Sequence, residues 1–378
     1  MSVEIVVSAE ELKQTIEYIA LLGSNGPGRK KEDDNQGTGY IKISAVSPLK
    51  NNNYMLMFEC MNNVEQLRYR MEGKSYKSNE PVVTYVEAKR MIALAKTFDG
   101  DVTMAFGKEY LGLNCGTSRY KVNKVAAELP ELKIPADGSI TISKNFLADA
   151  AKHCSVAVGK ESARPWMNCI QFNFSADGRA VCYSTDSYKL ARYTCDNSGS
   201  TTDISCLVLP NAINHITDMC DQNEVKLIPT DGAIYATAAR FDYMSRVMIG
   251  KFPDCGRIYK DFHAVKTFVI NKGKLAVAVS RANIVADDKD FKIKLASDEN
   301  NLYIEANSVA GNGVEAIALE SFDGDDQETY SLSGISFSRL IYGCGSENIS
   351  ISTSGKLKPL LIGPPDCSNS YVLTVMRA

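Results

Sequence analysis

The amino-acid sequence predicts an α+β fold of three similar domains, each with two helices packed on antiparallel sheet. Three observations predict it. A proline-bearing segment recurs, Leu129-Pro130-Glu131-Leu132 and then Phe252-Pro253-Asp254-Cys255, with the two prolines 123 residues apart. A further 123 residues reach Met376, inside the run 371–378. A period this long marks whole domains, because solenoid units repeat every 20–50 residues or so. Second, the order strand, helix, several strands, helix, several strands appears three times. Third, the strands are joined by Asp-, Asn- and Gly-bearing turns, so hairpins dominate and the sheets are antiparallel. The expected domains are 1–135, 136–262 and 263–378, with short polar or proline-bearing joins near Pro135 and Lys260.

Each domain opens with a strand that runs into a helix. The helices are expected to start near Ser8, Ser143 and Asn271, whose side chains can accept a hydrogen bond from the free N–H groups of a first turn. In the first helix Leu12, Ile16, Ile19 and Ala20 share one stripe, opposite Lys13, Gln14 and Glu17. A hairpin comes next. In the second domain 169–174 and 179–183 flank a turn at 175–178; in the third, 291–295 and 302–306 flank 297–301. Second helices are expected over 86–98, 210–221 and 336–343. Each is followed by a hairpin turning near Gly107, Asp231-Gly232 or Ser354-Gly355.

Composition is that of an ordinary globular protein, 44% hydrophobic and 23% charged, with a net charge of −3. That balance does not exclude nucleic acid, since attraction to phosphates depends on where lysines and arginines sit. The eleven cysteines are odd in number and form no Cys-x-x-Cys pair. The N-terminal run Met1-Ser2-Val3-Glu4-Ile5 has no basic stretch before an apolar core. Reduced thiols and a cytoplasmic location are therefore expected. No apolar run approaches the roughly 20 residues of a membrane span, so no membrane partner is expected.

Little in the chain suggests catalysis. The segment from Gly23 to Gly28, followed by Arg29-Lys30-Lys31, nearly fits a phosphate-cradling P-loop, and a nucleotide hydrolase is the enzymatic alternative. However, Arg29 stands where the loop lysine belongs, no Ser or Thr follows to hold Mg²⁺, and a helix precedes the segment instead of a strand. A basic loop is the better reading. His153, His215 and His263 are isolated, so no catalytic residue, metal or cofactor is expected. Asp and Glu crowd the turns, while Lys13, Lys89, Arg90, Lys96, Lys144, Lys152, Lys160 and Arg281 fall on expected helical segments. Cations on corresponding helices of three repeats suggest a shared basic surface, although the helix 210–221 has none.

Three stretches carry a family resemblance. Thr185-Asp186-Ser187-Tyr188-Lys189-Leu190-Ala191, which follows Met167-Asn168-Cys169, is similar to a Thr-Asp-Gly-His-Arg-Leu-Ala run. Phe252-Pro253-Asp254 with Arg257-Ile258 is similar to Phe-Pro-Asp-Tyr-x-Arg-Val. The run 371–378 resembles Tyr-Val-Val-Met-Pro-Met-Arg-Leu. All three belong, in this order, to the bacterial DNA polymerase III beta subunit, the sliding clamp family, and the resemblance covers essentially the whole chain.

The resemblance implies a homodimer whose two chains close head to tail into a six-domain ring around double-stranded DNA. It implies a processivity factor of DNA replication with no catalytic activity of its own. A DNA polymerase and a clamp loader would dock short linear motifs into a pocket. That pocket would be built from Met167, Thr185, Ser187, Tyr188, Lys189, Leu190, Pro253, Arg257, Ile258, Pro359, Val372, Leu373, Thr374, Val375, Met376 and Arg377. Lys13, Arg29, Lys30, Lys89, Lys96, Lys152, Lys160 and Arg164 would face the DNA. Arg119, Tyr120 and Val122 on one edge, and Ile284 and Val285 on the other, would form the dimer interface. Departures from the family pattern at Ser187, Thr374, Val375 and Ala378, and at Ser336 and Arg339 on the rim, leave the preferred motif open. The loop 25–37 is longer than usual. A clamp-like scaffold without a DNA role is the remaining alternative.

Overall fold

The computed structural model describes residues 3–23, 39–46, 54–76, 81–160, 164–248, 250–287, 289–309, 311–324, 328–366 and 369–377. Its elements come in three rounds. The first holds β1 (Val3–Ser8), α1 (Ala9–Gly23), β2 (Tyr40–Val46), β3 (Tyr54–Met61), β4 (Glu65–Tyr76), β5 (Val82–Glu87), α2 (Ala88–Ala95), β6 (Asp101–Phe106), β7 (Tyr110–Cys115) and β8 (Ser118–Asn123). The second holds β9 (Ile140–Ser143), α3 (Lys144–Ser155), a 3₁₀ turn (Pro165–Asn168), β10 (Ile170–Phe174), β11 (Ala180–Thr185), β12 (Lys189–Cys195), β13 (Ile204–Val208), α4 (Pro210–Met219), β14 (Glu224–Pro229), β15 (Ala233–Thr237) and β16 (Phe241–Arg246). The third follows the short α5 (Gly256–Lys260). It holds β17 (Lys266–Asn271), α6 (Lys272–Val285), β18 (Lys292–Ser297), β19 (Asn301–Ser308), β20 (Gly311–Ala318), β21 (Ser321–Gly324), β22 (Tyr330–Ser333), α7 (Gly334–Gly343), β23 (Asn348–Thr353), β24 (Leu360–Gly363) and β25 (Ser370–Leu373).

The rounds share strand order as well as element order. One four-stranded order, β5-β2-β3-β4, recurs as β13-β10-β11-β12 and β22-β18-β19-β20. The other, β1-β6-β7-β8, recurs as β9-β14-β15-β16 and β17-β23-β24-β25. Consecutive rounds are stitched the same way: β16 pairs antiparallel with β4, and β25 with β12. β8 and β20 are the strands left in the corresponding positions with no such partner among the described residues.

The chain packs as two compact units, one of Met1–Lys144 with Asn211–Val247 and one of Asn145–Pro210 with Met248–Ala378. The first contains a twelve-stranded sheet, and its core is built on Ile5, Leu12, Ile16, Ile19, Phe58 and Leu67, all fully buried. The stripe expected in α1 is the face that packs. The second contains a nine-stranded and a four-stranded sheet around Phe172, Phe268, Leu275, Phe337, Ile351 and Tyr371. Alternating burial along β1 and β17 shows strands with one face in the core.

Helix starts follow capping chemistry. Ser8 Oγ accepts from Glu11 N–H at 3.1 Å, and Asn271 Oδ1 from Lys274 N–H at 3.1 Å. Four boundaries differ from expectation, one of them the end of α2, which stops at Ala95 instead of 98. Val86 and Glu87 pair with Ile41 and Tyr40 of β2, so the sheet takes the first residues of the expected helix 86–98 and α2 begins at Ala88. α4 ends at Met219. α7 starts earlier than 336, because Ser333 Oγ caps it by accepting from Ser336 N–H at 3.4 Å. Ten described cysteines are free thiols, eight of them buried. No described helix is long and apolar enough to cross a membrane.

Candidate functional site

The candidate site lies in the second unit, where β12 and β25 meet with Leu190 opposite Val372 and Lys189 opposite Leu373. Pairing brings together segments some 180 positions apart and buries Leu190 and Val372 beside Phe252 and Cys255. Trp166, Tyr183, Leu207, Tyr259 and Leu361 pack around these four. The rings of Trp166 and Phe252 meet edge to face at 5.6 Å, a favoured aromatic geometry. Tyr259 donates to Ser370 O at 3.0 Å, and the Arg192 guanidinium lies 4.1 Å over its ring. Burial, with Asp254 nearby, pushes the Cys255 thiol up to about 12, so Cys255 is an inert wall and not a nucleophile.

A closed turn sits at the mouth of this cluster. Thr185 Oγ1 donates to Lys189 O at 2.8 Å and accepts from Ser187 N–H at 3.1 Å. Asp186 Oδ1 accepts from Tyr188 N–H at 3.0 Å and Lys189 N–H at 2.8 Å. Ser187 has φ 76°, the left-handed region that favours glycine. Tyr188 projects from the turn, 69% exposed. The chain after β25 is tied across the same place. Thr374 N–H donates to Tyr188 O at 2.9 Å, and Met376 N–H donates to Ser331 O of β22 at 2.6 Å.

Of the pocket residues read from the sequence, Leu190 and Val372 are in the buried cluster, and Pro253 and Arg257 are exposed residues flanking it in the chain. Ile258 is exposed, and Thr374, Val375 and Met376 are half-buried. Met167 is buried, its carbonyl accepts from Gly159 N–H at 2.8 Å, and a Cβ on Gly159 would meet Met167 Cβ at 3.2 Å and Asp186 Cβ at 3.5 Å. Leu373 is buried under its pairing with Lys189 and Leu360, Pro359 is half-buried, and the exposed Arg377 has its carbonyl held by Lys292 Nζ at 3.2 Å. Two of these side chains are ion-paired. Lys189 does not offer a free cation: it is 4% exposed and ion-paired to Asp186. Arg257 pairs with Asp261 at 3.2 Å on the surface. Sequence reasoning missed Trp166, Tyr183, Leu207, Tyr259 and Leu361. The signal was there for Trp166, the single tryptophan of the chain and the neighbour of Met167.

The expected dimer residues lie on two open edges, one in each unit. On β8, Arg119 and Tyr120 are exposed, whereas Val122 is only 4% exposed. Val122 belongs to its own core, paired with the buried Leu111 of β7, whereas Tyr120, two residues earlier on the same face of the strand, is left half open at the edge. On α6, Ile284 is 82% exposed; Val285 is half-buried beside Gly311 and Gly313 of β20. A groove of about 480 Å³ runs between α6 and β20, with Lys274, Val277, Arg281, Glu315 and Ala318 on its walls. Arg281 and Glu315 form an ion pair at 3.5 Å.

Among the expected DNA-facing cations, Lys89, Lys96, Lys152, Lys160 and Arg164 are exposed and Lys13 is half-buried. Lys160 lies beyond the end of α3 and Arg164 directly precedes the 3₁₀ turn, so neither is on a helix as Lys160 was expected to be. Lys144 Nζ is engaged with Cys220 O at 2.5 Å. Arg29, Lys30 and all of the P-loop-like stretch after Gly23 lie outside the described residues, as do the loop 25–37 and Ala378. His153 is stacked on Tyr371 in the core, and His215 Nδ1 lies 2.9 Å from Glu65 Oε1. The described residues contain no cluster of three metal-ligating side chains.

Comparison with known proteins points one way. Residues 141–254 match the family model of the DNA polymerase III beta subunit, central domain. The beta sliding clamp of Pseudomonas aeruginosa is 24% identical over 309 residues, 79% of this chain and 83% of its own. That of Treponema pallidum is 23% identical over 192 residues, 50% of this chain and 49% of its own, so this match spans about half of each protein. A crystal structure of a sliding clamp (DNA polymerase III subunit beta) from Pseudomonas aeruginosa bound to griselimycin superposes with a TM-score of 0.88, covering all of both chains at 19% identity. Local family match, relatives along most of the sequence and fold along all of it agree: the chain has the fold of the DNA polymerase III beta subunits and is similar to them in sequence, with residues 141–254 matching that family's central domain.

Proposed function

We propose that this protein is a non-catalytic processivity clamp of DNA replication, acting in the cytoplasm. Two copies close head to tail into a ring around duplex DNA. The observation that carries this reading is the threefold strand order, which leaves β8 and β20 as open counterparts of the strands that join at β4–β16 and β12–β25. Unpaired edges are a liability in a monomer and useful where they complete a closed ring. The same recurrence supports reading 1–135, 136–262 and 263–378 as three equivalent domains.

Topology then holds the DNA, so the cations need only attract phosphates without reading bases. Lys13, Lys89, Lys96, Lys152, Lys160 and Arg164, with Arg29 and Lys30, are the proposed contacts. The cluster around Leu190 and Val372, rimmed by Tyr188, Pro253, Ile258 and the chain 374–376, takes a short peptide from a polymerase or loader. Apolar anchors with a few polar groups suit such a ligand. The test is retention: loaded by its cognate loader, the protein should stay on nicked circular DNA and slide off linear DNA. Equal retention on both would refute the ring, and turnover of ATP lost in Lys30→Ala would restore the hydrolase reading.

A further inference from the structure

The two seams inside the chain define a register to which its two open edges can be held. In each round one cross-strand row starts three residues before the end of the first strand. Ile5, Met104 and Leu113 lead to Tyr120. Ile140, Leu227 and Ala236 lead to Tyr243. Phe268, Ile351 and Ile362 lead to Tyr371. The three tyrosines are therefore structural equivalents. Tyr243 lies opposite Leu67 at the first seam, and Tyr371 opposite Ala191 at the second. Both are fully buried with their hydroxyls engaged, Tyr243 donating to Glu65 and Tyr371 meeting His153 Nδ1 at 2.9 Å. Tyr120 is 44% exposed and touches Phe98 of its own unit.

The residue that should face Tyr120 follows from the hairpins. Asn62 N–H donates to Glu65 O across the β3–β4 turn, and Asp186 N–H to Lys189 O across the β11–β12 turn. Leu67 and Ala191 each stand two residues beyond that acceptor. In the third round Ser308 and Gly311 close the β19–β20 hairpin, and two residues beyond Gly311 is Gly313. A Cβ on Gly311 or Gly313 would meet only Val285 methyls, at 4.0 and 3.9 Å, so this face of β20 has room for a ring bordered by Val285.

We propose that β8 of one copy pairs antiparallel with β20 of a second copy so that Tyr120 lies opposite Gly313, its ring over the glycine and against Val285. This rests on the ring reading above and goes beyond it by fixing the register of the seam. An aromatic ring covering a cross-strand glycine is a stabilising pair. The same register sets Arg119 opposite Val314, on the other face of the strand from the Tyr120–Gly313 pair.

Cysteine cross-linking tests the register. At the first seam Arg70 N–H donates to Arg240 O at 2.7 Å and Arg246 N–H to Val64 O at 2.8 Å, which makes Tyr243–Leu67 a non-hydrogen-bonded pair. Side chains are closest at such pairs, near the span of a disulfide. In the full chain, Tyr120→Cys with Gly313→Cys should give covalent dimers under mild oxidation. Tyr120→Cys with Gly311→Cys or with Glu315→Cys should lag at least about tenfold, and each single variant reports on the native thiols. Faster linking of either shifted pair overturns the proposal. Independently, Tyr120→Ala should raise the dimer dissociation constant at least about tenfold, with Tyr120→Phe within about threefold of wild type. An unchanged constant in Tyr120→Ala also overturns it. If the wild type dimerises and is retained on circular DNA while Tyr120→Cys with Gly313→Cys does not link, the register alone is lost; a wild type that is monomeric at micromolar concentration and not retained loses the ring as well.

Discussion

Ser187 holds a backbone conformation with φ 76° that costs a residue bearing a Cβ about 1–2 kcal/mol, and the turn imposes it through bonds from Thr185 and Asp186. Ser187→Gly should therefore stabilise the protein by about 1 kcal/mol, the gain being trimmed by the extra freedom of the unfolded chain; calorimetry reads this as a raised Tm. His153 makes a second residue-scale prediction. Burial lowers its pKa from 6.5 to about 4. Between those values the unfolded chain binds a proton that the folded chain refuses, so stability falls as pH drops from about 6.5 towards 4, by up to about 3 kcal/mol. Denaturant midpoints across that window should flatten in His153→Gln. The odd Ser187 was legible from the sequence because a family pattern puts glycine there. The burial of Lys189 was not, since it depends on a carboxylate three positions earlier turning back onto it.

At the scale of elements, the segment after β25 acts as a strap. Thr374 fastens it to the turn at Tyr188 and Met376 to β22, leaving Val375 spanned between the two anchors. Deleting 375–378 should abolish stimulation of the polymerase while leaving dimerisation unchanged by light scattering, because the strap contributes nothing to β8 or β20. Stimulation that survives would move the partner site elsewhere. The sequence showed most helices, hairpins and turns, because apolar period and cap residues are local properties. It misplaced the ends of α2 and α7. There Val86 and Glu87 were claimed by a strand that lies far off in sequence, and Ser333, three residues before Ser336, caps α7. The apolar cluster was only half legible for the same reason: β12 and β25 carried readable motifs, whereas Tyr183, Leu207 and Leu361 reach the site through sheet pairing.

For the molecule as a whole, binding to DNA should be independent of sequence and fall steeply with salt, each neutralised phosphate contributing about 0.9 to the log–log slope. Lys89→Ala, Lys96→Ala and Lys152→Ala together should lower that slope by up to about 3 without changing the dimer. A slope equal to wild type would take these side chains off the DNA path. The threefold plan was readable from a 123-residue period, since a repeated fold keeps its landmarks at fixed intervals. How successive rounds join was not, because β16 reaches back to β4 and β25 to β12 across some 180 positions, more than a whole period.

That stitching decides where such a ring opens. In the proposed ring the strands at β4–β16 and β12–β25 are tethered by the polypeptide, while those at β8 and β20 belong to separate chains. The gate then follows from the chain's connectivity. A circular permutant with its termini moved to the β4–β16 junction, and the old ends linked across β20 to β8, should carry its gate to the new break.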